Sequence, residues 1–306
     1  MARIDTPAPP RGDAPARRPG GPAQDQRREI GLLNGLAHIS LAIWAIIILA
    51  PLLWMFLASF KTNTEMYLGN PFSLPSSFSL DSYVRAWNEA HVGRYFLNSL
   101  FVVGLATAGT MLFGSMAAYV LARYKFIGNR VIYYLFVSGL AFPVFLALVP
   151  LFLIVNNMGL LNTYTGLILV YIAYSLPFTV FFLTAFFKTL PNSVAEAAVM
   201  DGASHTRLFF QVMMPMARPA LVSITIFNIM GQWNQYLLPV ALMQGENAQE
   251  HWVLTQGIAN ISVQAGYEAD WAAMFAAVVL SILPMIVVYA FFQRQIQAGL
   301  TAGAVK

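Results

Sequence analysis

The chain has no cysteine. That excludes disulfides, thiol nucleophiles and cysteine-ligated metals. Charge is also scarce: Asp, Glu, Lys and Arg make up 10% of the residues, against roughly 25% in a soluble domain. None of the long apolar runs carries one of these residues well inside it. Ionisable groups within a membrane mark proton relays and ion-coupled pathways, so their absence argues against a carrier driven by carboxylate protonation. Sodium sites built from carbonyls and hydroxyls stay compatible with the sequence. A phosphate-binding Gly-Lys-Ser/Thr is missing too, since the four lysines follow Phe60, Tyr124, Phe187 and Val305. The chain therefore does not hydrolyse a nucleotide itself. His38, His91, His205 and His251 are scattered without HExxH spacing, and there is no GxSxG elbow. No enzyme activity, metal, resident cofactor or nucleic-acid partner is expected.

Apolar residues are abundant, at 58% of the 306 positions, with a mean hydropathy of +0.63. A membrane span needs about 20 predominantly apolar residues. Six runs qualify, at 36–60, 96–121, 131–155, 164–187, 219–243 and 271–292. The third holds Pro143 and Pro150, the fourth Pro177, the fifth Pro239 and the sixth Pro284. Spanning helices tolerate proline where neighbours satisfy the freed carbonyls. The second carries Gly104/Ala108 and Gly114/Ala118/Ala122, small residues four apart that let backbones approach closely. The predicted class is an all-α polytopic membrane protein with six transmembrane helices.

Fourteen of the 17 Lys and Arg residues fall in the N-terminal tail, the 122–130 and 188–218 loops and the C-terminal tail. Only Lys61, Arg85 and Arg94 fall on the other side. Positive loops stay inside, so both termini are predicted to be cytoplasmic. Residues 1–30 are rich in Pro, Gly and Arg and cannot bury enough apolar surface to fold. They read as a disordered cytoplasmic tail before a permease domain at 31–306. A cleaved leader is not expected, because the following apolar run is too long and lacks a small-residue cleavage site.

Two polar features interrupt the hydrocarbon pattern. In the fifth run, Thr225, Asn228, Gln232 and Gln235 are spaced 3, 4 and 3 apart, which places them on one helical face. Trp233, Asn234 and Tyr236 lie beside them. Neutral amides in hydrocarbon need a partner helix or a watery cavity. The stripe therefore either clasps neighbouring helices or lines a path for a neutral, hydroxyl-rich solute. Asn98 and Ser99, at the start of the second run, pose the same choice between lining and capping or packing. The second feature is the 188–218 insertion. Asn192 or Ser193 can cap a helix through 194–199, Asp201-Gly202 breaks it, and a second short helix ends at Pro215. Such a helix suits docking into a groove on a partner or resting on the lipid surface.

Glu196-Ala197-Ala198, then Gly202, then Met214-Pro215 match the EAA motif of ABC importer membrane subunits. The likeness extends over nearly all of 36–306. It takes in Tyr95-Phe-Leu-Asn98-Ser99, Ala122-Arg123-Tyr124-Lys125-Phe126, Gln232-Trp233-Asn234-Gln235-Tyr236-Leu-Leu-Pro239, Asp270-Trp271, and Phe291-Phe-Gln293-Arg294 with the tail 299–306. Together these resemble the MalG-type permeases of carbohydrate ABC importers. The GQWNQY run looks most like permeases assigned to N-acetylglucosamine or chitobiose.

The resemblance implies a type I importer fold in the bacterial cytoplasmic membrane, surrounded by lipid. It implies a second, MalF-like permease, two ABC ATPase subunits that bind ATP–Mg, and an extracytoplasmic solute-binding protein. The helix around 192–203 would sit in a cleft of one ATPase, with Glu196, Ala197, Ala198, Asp201, Gly202 and Pro215 as coupling residues. The tail 300–306 would reach toward the nucleotide-binding subunits. Asn228, Gln232, Trp233, Asn234, Gln235 and Tyr236 would border the translocation path, although the maltose-type system grips its sugar mostly with the other permease. Two competing readings are an ion-coupled secondary carrier for a neutral polar solute and a non-transporting membrane scaffold.

Overall fold

A computed structural model describes residues 24–245, 248–264 and 270–302. The chain divides into two units, Met1–Leu53 and Trp54–Lys306. Among the described residues the regular structure is helical. The helices are α1 (Gln24–Ala58), α2 (Asn63–Leu68), α3 (Asp81–Asn88), α4 (Val92–Arg123), α5 (Asn129–Ala141), α6 (Val144–Asn157) and α7 (Tyr164–Thr189). There follow α8 (Asn192–Met200), α9 (His205–Met216), α10 (Arg218–Trp233), α11 (Leu237–Leu242), α12 (Leu254–Gln264) and α13 (Trp271–Ala302).

Four helices are long and apolar enough to cross a membrane unbroken: the 34–58 part of α1, then α4, α7 and the 271–295 part of α13. Two bent pairs raise the number to as many as six. Residues 1–23 and 303–306, parts of the two predicted tails, lie outside the described residues. The rest of the expected N-terminal tail, 24–30, is helical. No proline follows Pro22 until Pro51, so nothing stops α1 from extending backward through its polar start. At the other end α13 runs on past 292 to Ala302.

The third and fifth predicted spans are not single helices. The third breaks between α5 and α6 with a bend of 109°. Phe142, which precedes Pro143, is extended at φ −80, ψ 119. Proline bars the helical conformation from the residue before it and cannot donate to the carbonyl four back. The fifth stops at Trp233, after 16 residues, or about 24 Å of helix. Three residues intervene before α11. Pro239 has no N–H for the Gln235 carbonyl, and Thr255 Oγ1 donates to that carbonyl instead, at 2.7 Å. On its other side α10 meets α9 at 80°.

The core is built on α4 and α7. Gly114 faces Thr179 so closely that an added Cβ would stand 2.6 Å from its methyl, and Ala118, one turn further along α4, is fully buried. Gly104 and Ala108 behave differently, since both are exposed and Gly104 has open space about it. Only half of the predicted small-residue pattern is therefore used within the chain.

The connection between α1 and α3 is pinned by charge. Lys61 is buried and its ammonium donates to the carbonyls of Asn70 (3.2 Å) and Pro71 (2.9 Å). Glu65 and Thr62 form a reciprocal cap at the start of α2. A side-chain hydrogen bond from Ser76, then the N–H groups of Thr62 and Ser76, hold the Glu65 carboxyl down to about 2. Arg85 pairs with Asp270 at 2.6 Å, and Asp270 accepts from Ala273 N at the start of α13. Burial, the largest single influence, raises the Asp270 pKa, but the hydrogen bonds from Arg85 and Ala273 N and the Arg85 charge together outweigh it and the net direction is downward.

A depressed carboxylate contributes stability above its unfolded pKa and loses it as pH falls toward the folded value. The stability advantage of the wild type over Glu65→Gln is therefore expected to be complete above about pH 4.5 and to fade toward about pH 2. Thermal unfolding of both proteins in detergent across that window tests this. An advantage that grows on acidification contradicts it.

Candidate functional site

The insertion after α7 forms an elbow of two helices. Pro191 holds the N-cap position of α8, and no side chain caps it there. Asn192 is not the cap the sequence suggested. Its side chain instead accepts from Arg123 at the end of α4. Arg123 Nη2 also donates to the Leu190 carbonyl at 2.8 Å. The elbow's entry is thus fastened to α4 by one guanidinium, whose planar fork suits two acceptors at once.

The far end of α8 closes in a Schellman turn. Ala203 N donates to Ala198 O (3.0 Å) and Gly202 N to Val199 O (2.9 Å). Gly202 sits at φ +82 with open space around it. Its role here is conformational, because a left-handed residue with a side chain is disfavoured by about 1–2 kcal/mol.

Ser204 then caps α9 through Arg207 N at 3.3 Å. Tyr124 OH meets His205 Nδ1 at 3.0 Å, a second tie to the end of α4. Residues 208–213 of α9 are π-helical. Widening the turn there keeps the Pro215 ring off the carbonyl four residues back. Pro215 does not end the helix as the sequence suggested. The chain turns only at Ala217.

These ties decide which face of α8 is presented. Ala195 and Ala198 pack against a cluster of Leu208, Phe209, Met213, Tyr119 and Phe187. Glu196, Ala197, Asp201 and Gly202 are exposed, as are the apolar Val194, Val199 and Met200. Small residues on the inner face let α8 lie close to the bundle, and the outer face carries one acid among uncovered apolar side chains.

The polar stripe lies elsewhere in the structure, at the crossing of α4, α7 and α10. Asn228 and Gln232 are buried. Asn228 Nδ2 donates to Thr179 Oγ1 at 2.8 Å. Gln232 Nε2 donates to Ser175 Oγ at 3.0 Å, and Gln232 Oε1 accepts from Thr107 Oγ1 at 2.8 Å. The amides therefore clasp three helices. They also border a cavity of about 320 Å³ with Gln235, Tyr174, Phe178 and Phe227. The cavity's lining combines amides with aromatic rings.

The remaining stripe residues go different ways. Gln235 lies past the end of α10, so the predicted single helical face ends at Gln232. Trp233 is buried and turned away from the cavity; its Nε1 donates to Ser281 O at 3.1 Å and its ring meets Phe96 edge-on. Asn234 is exposed, with its amide bonded back to Met230 O, and Tyr236 is exposed. Thr225 bonds back to Leu221 O. Asn98 and Ser99 hold the loop before α12. Asn98 donates to the Glu250 and Trp252 carbonyls and Ser99 accepts from Leu254 N. Sequence reasoning missed the hydroxyl partners on α4 and α7, namely Thr107, Ser175 and Thr179. Their signal is hydroxyls at helical spacing inside apolar runs.

The family model described as "Binding-protein-dependent transport system inner membrane component" matches residues 110–301. That interval contains the elbow, the amides of the polar crossing and nearly all of α13.

The chain belongs to this family.

It is thus a membrane permease of a binding-protein-dependent, ABC-type importer. Among relatives of this permease, the diacetylchitobiose uptake system permease protein NgcG of Streptomyces coelicolor is 50% identical over 268 residues, covering 88% of this chain and 87% of the relative. The trehalose/maltose transport system permease protein MalG of Thermococcus litoralis is 33% identical over 282 residues, covering 91% and 99%. A subunit of a bacterial ABC transporter that imports alginate superimposes with a TM-score of 0.76 at 23% identity, over 90% of this permease and 99% of that chain. The permease shares that subunit's fold.

Proposed function

We propose that this permease is one of two membrane subunits in an ATP-driven importer of diacetylchitobiose-class sugars. The observation that carries the coupling half of this reading is the build of the elbow. Arg123 and Tyr124 tie it to α4 at both of its helices, its small residues face inward, and α8 presents Glu196 with exposed apolar neighbours. A helix so held transmits a push to the bundle with little slack. The partner that pushes is an ABC ATPase with ATP–Mg bound in its own subunit. Closure of two such subunits draws the two elbows together, and the spans rock between inward- and outward-open states. A MalF-like permease completes the path, and an extracytoplasmic binding protein delivers the sugar. Both termini of the chain lie on the ATPase side, in keeping with the Lys and Arg distribution.

The substrate half rests on the 50% identity to NgcG. Amides and aromatic rings beside the cavity are the chemistry that suits an acetamido sugar. The chain itself contributes a lever and a wall, with no catalytic residue. Uptake of radiolabelled diacetylchitobiose by vesicles containing both permeases, the ATPase and the binding protein tests the proposal. Uptake is expected to need ATP and the binding protein and to be outcompeted by unlabelled diacetylchitobiose. Transport by this chain alone, collapsed by an ionophore, contradicts it in favour of the secondary carrier.

A further inference from the structure

At one membrane face, α4 ends at Arg123, α5 begins at Asn129 and α7 ends at Thr189. Between these three ends lies a groove of about 700 Å³. Four cations line it, Arg123, Lys125, Arg130 and Lys188, with no Asp or Glu among the lining residues. Among the described residues none of the four forms a salt bridge. Two of them are partly engaged. Arg123 turns Nη1 and Nη2 to the elbow, which leaves its buried Nε with no hydrogen-bond partner. Lys188 Nζ lies 5.2 Å from the centre of the Tyr133 ring.

The groove is formed in advance of any occupant. Asn129 Nδ2 bonds the carbonyls of Leu121 and Tyr124 and so fixes the turn between α4 and α5. Beside the cations the surface becomes apolar at once: Ile127 is fully exposed, and Val131 and Tyr134 are largely so. A cationic pocket flanked by bare apolar side chains at the level where spans end matches a molecule with an anionic head and a hydrocarbon tail.

We propose that this groove binds the phosphodiester headgroup of an anionic membrane lipid, with the acyl chains against Ile127 and Val131. Lys125 and Arg130 supply the open charge, and Arg123 and Lys188 add to it from the groove's lining. Because the same Arg123 fastens Asn192 and Leu190, an occupied groove buttresses the elbow from the lipid side. The proposal concerns the membrane-embedded permease alone and does not depend on which sugar or ATPase it serves.

The test uses the full chain, extracted with its partner subunits in neutral detergent and exposed to phosphatidylglycerol, phosphatidylcholine or sodium phosphate. Retained lipid is counted by native mass spectrometry. Wild type is expected to keep phosphatidylglycerol and shed phosphatidylcholine. The double variant Lys125→Gln/Arg130→Gln is expected to lose phosphatidylglycerol binding by about thirtyfold, given the contribution of each of the two surface cations. Arg294→Gln and the charge-conserving Lys125→Arg/Arg130→Lys pair are expected to bind like wild type, which separates lost charge from lost fold. Equal retention by the double variant overturns the proposal. So does displacement of the lipid by millimolar phosphate, which assigns the groove to a soluble anion. Loss of the ATPase from the double variant with lipid retention unchanged also overturns it, and assigns the groove to a protein.

Discussion

Glu196→Lys is expected to bring ATP-driven uptake by the reconstituted importer to background and to loosen the ATPase, while membrane insertion and thermal stability stay as in the wild type. The asymmetry follows from where Glu196 stands. It is exposed on α8, and among the described residues its carboxylate has no hydrogen bond or salt bridge. Surface substitutions away from structural features shift stability by within about 0.5 kcal/mol. The fold therefore does not register the change, and any loss of transport reports a surface used by a partner. Gly202→Asp reaches the same elbow by another route. It places a side chain at φ +82 and disfavours the Schellman turn, so α8 is re-aimed instead of recharged. The two variants are expected to share the uptake defect. Only Glu196→Lys is expected to be rescued by a compensating charge change on the ATPase. Uptake and ATPase co-purification, measured side by side, check both. Undiminished uptake by Glu196→Lys removes α8 from the mechanism.

Gln232→Leu is expected to destabilise the bundle by about 1–3 kcal/mol, because the hydroxyls of Thr107 and Ser175 lose a buried partner. Part of that loss is recovered when the hydroxyls turn to backbone carbonyls of their own helices, as Thr179 already does toward Ser175 O at 3.0 Å. Gln235→Leu is expected to leave stability near that of the wild type. Its side chain borders the cavity from beyond the end of α10, and the bond that secures this connection runs from Thr255 to the Gln235 backbone. Thermal midpoints separate the pair. Uptake with diacetylchitobiose and maltose then asks whether the cavity amides select the sugar. Equal midpoints for Gln232→Leu and wild type contradict the clasp.

The helices that carry the fold are legible in the sequence because each span needs a long run free of charge. The second, fourth and sixth runs appear as α4, α7 and α13 with only their ends adjusted. The elbow is legible as well, since Asp201-Gly202 and Pro191 punctuate a polar stretch between apolar ones. The bends are harder to read. Pro177 and Pro284 lie inside continuous helices, whereas Pro143 and Pro239 accompany breaks. The outcome turns on what receives the freed carbonyl. At Gln235 that partner is Thr255, about 20 positions away in sequence and invisible to any local pattern. The direction of Trp233 fails for the same reason. Periodicity groups residues on a face but does not say which neighbour the face meets, and here the indole finds Ser281 on α13. The fastening of the elbow by Arg123 and Tyr124 joins residues 67 and 81 positions apart. It becomes visible only when the end of α4 and the elbow are brought together.

In the mechanism proposed above, this permease is moved by an ATPase gripping α8. The chain has no native cysteine, so Met200→Cys on the exposed end of α8 gives a single reactive thiol. The decisive measurement is cross-linking from that thiol in the assembled importer, with and without ATP. One dominant adduct is expected, to the nucleotide-hydrolysing subunit, with a yield that changes with nucleotide. Adducts only to lipid or to other membrane subunits, while the importer still transports, would contradict it.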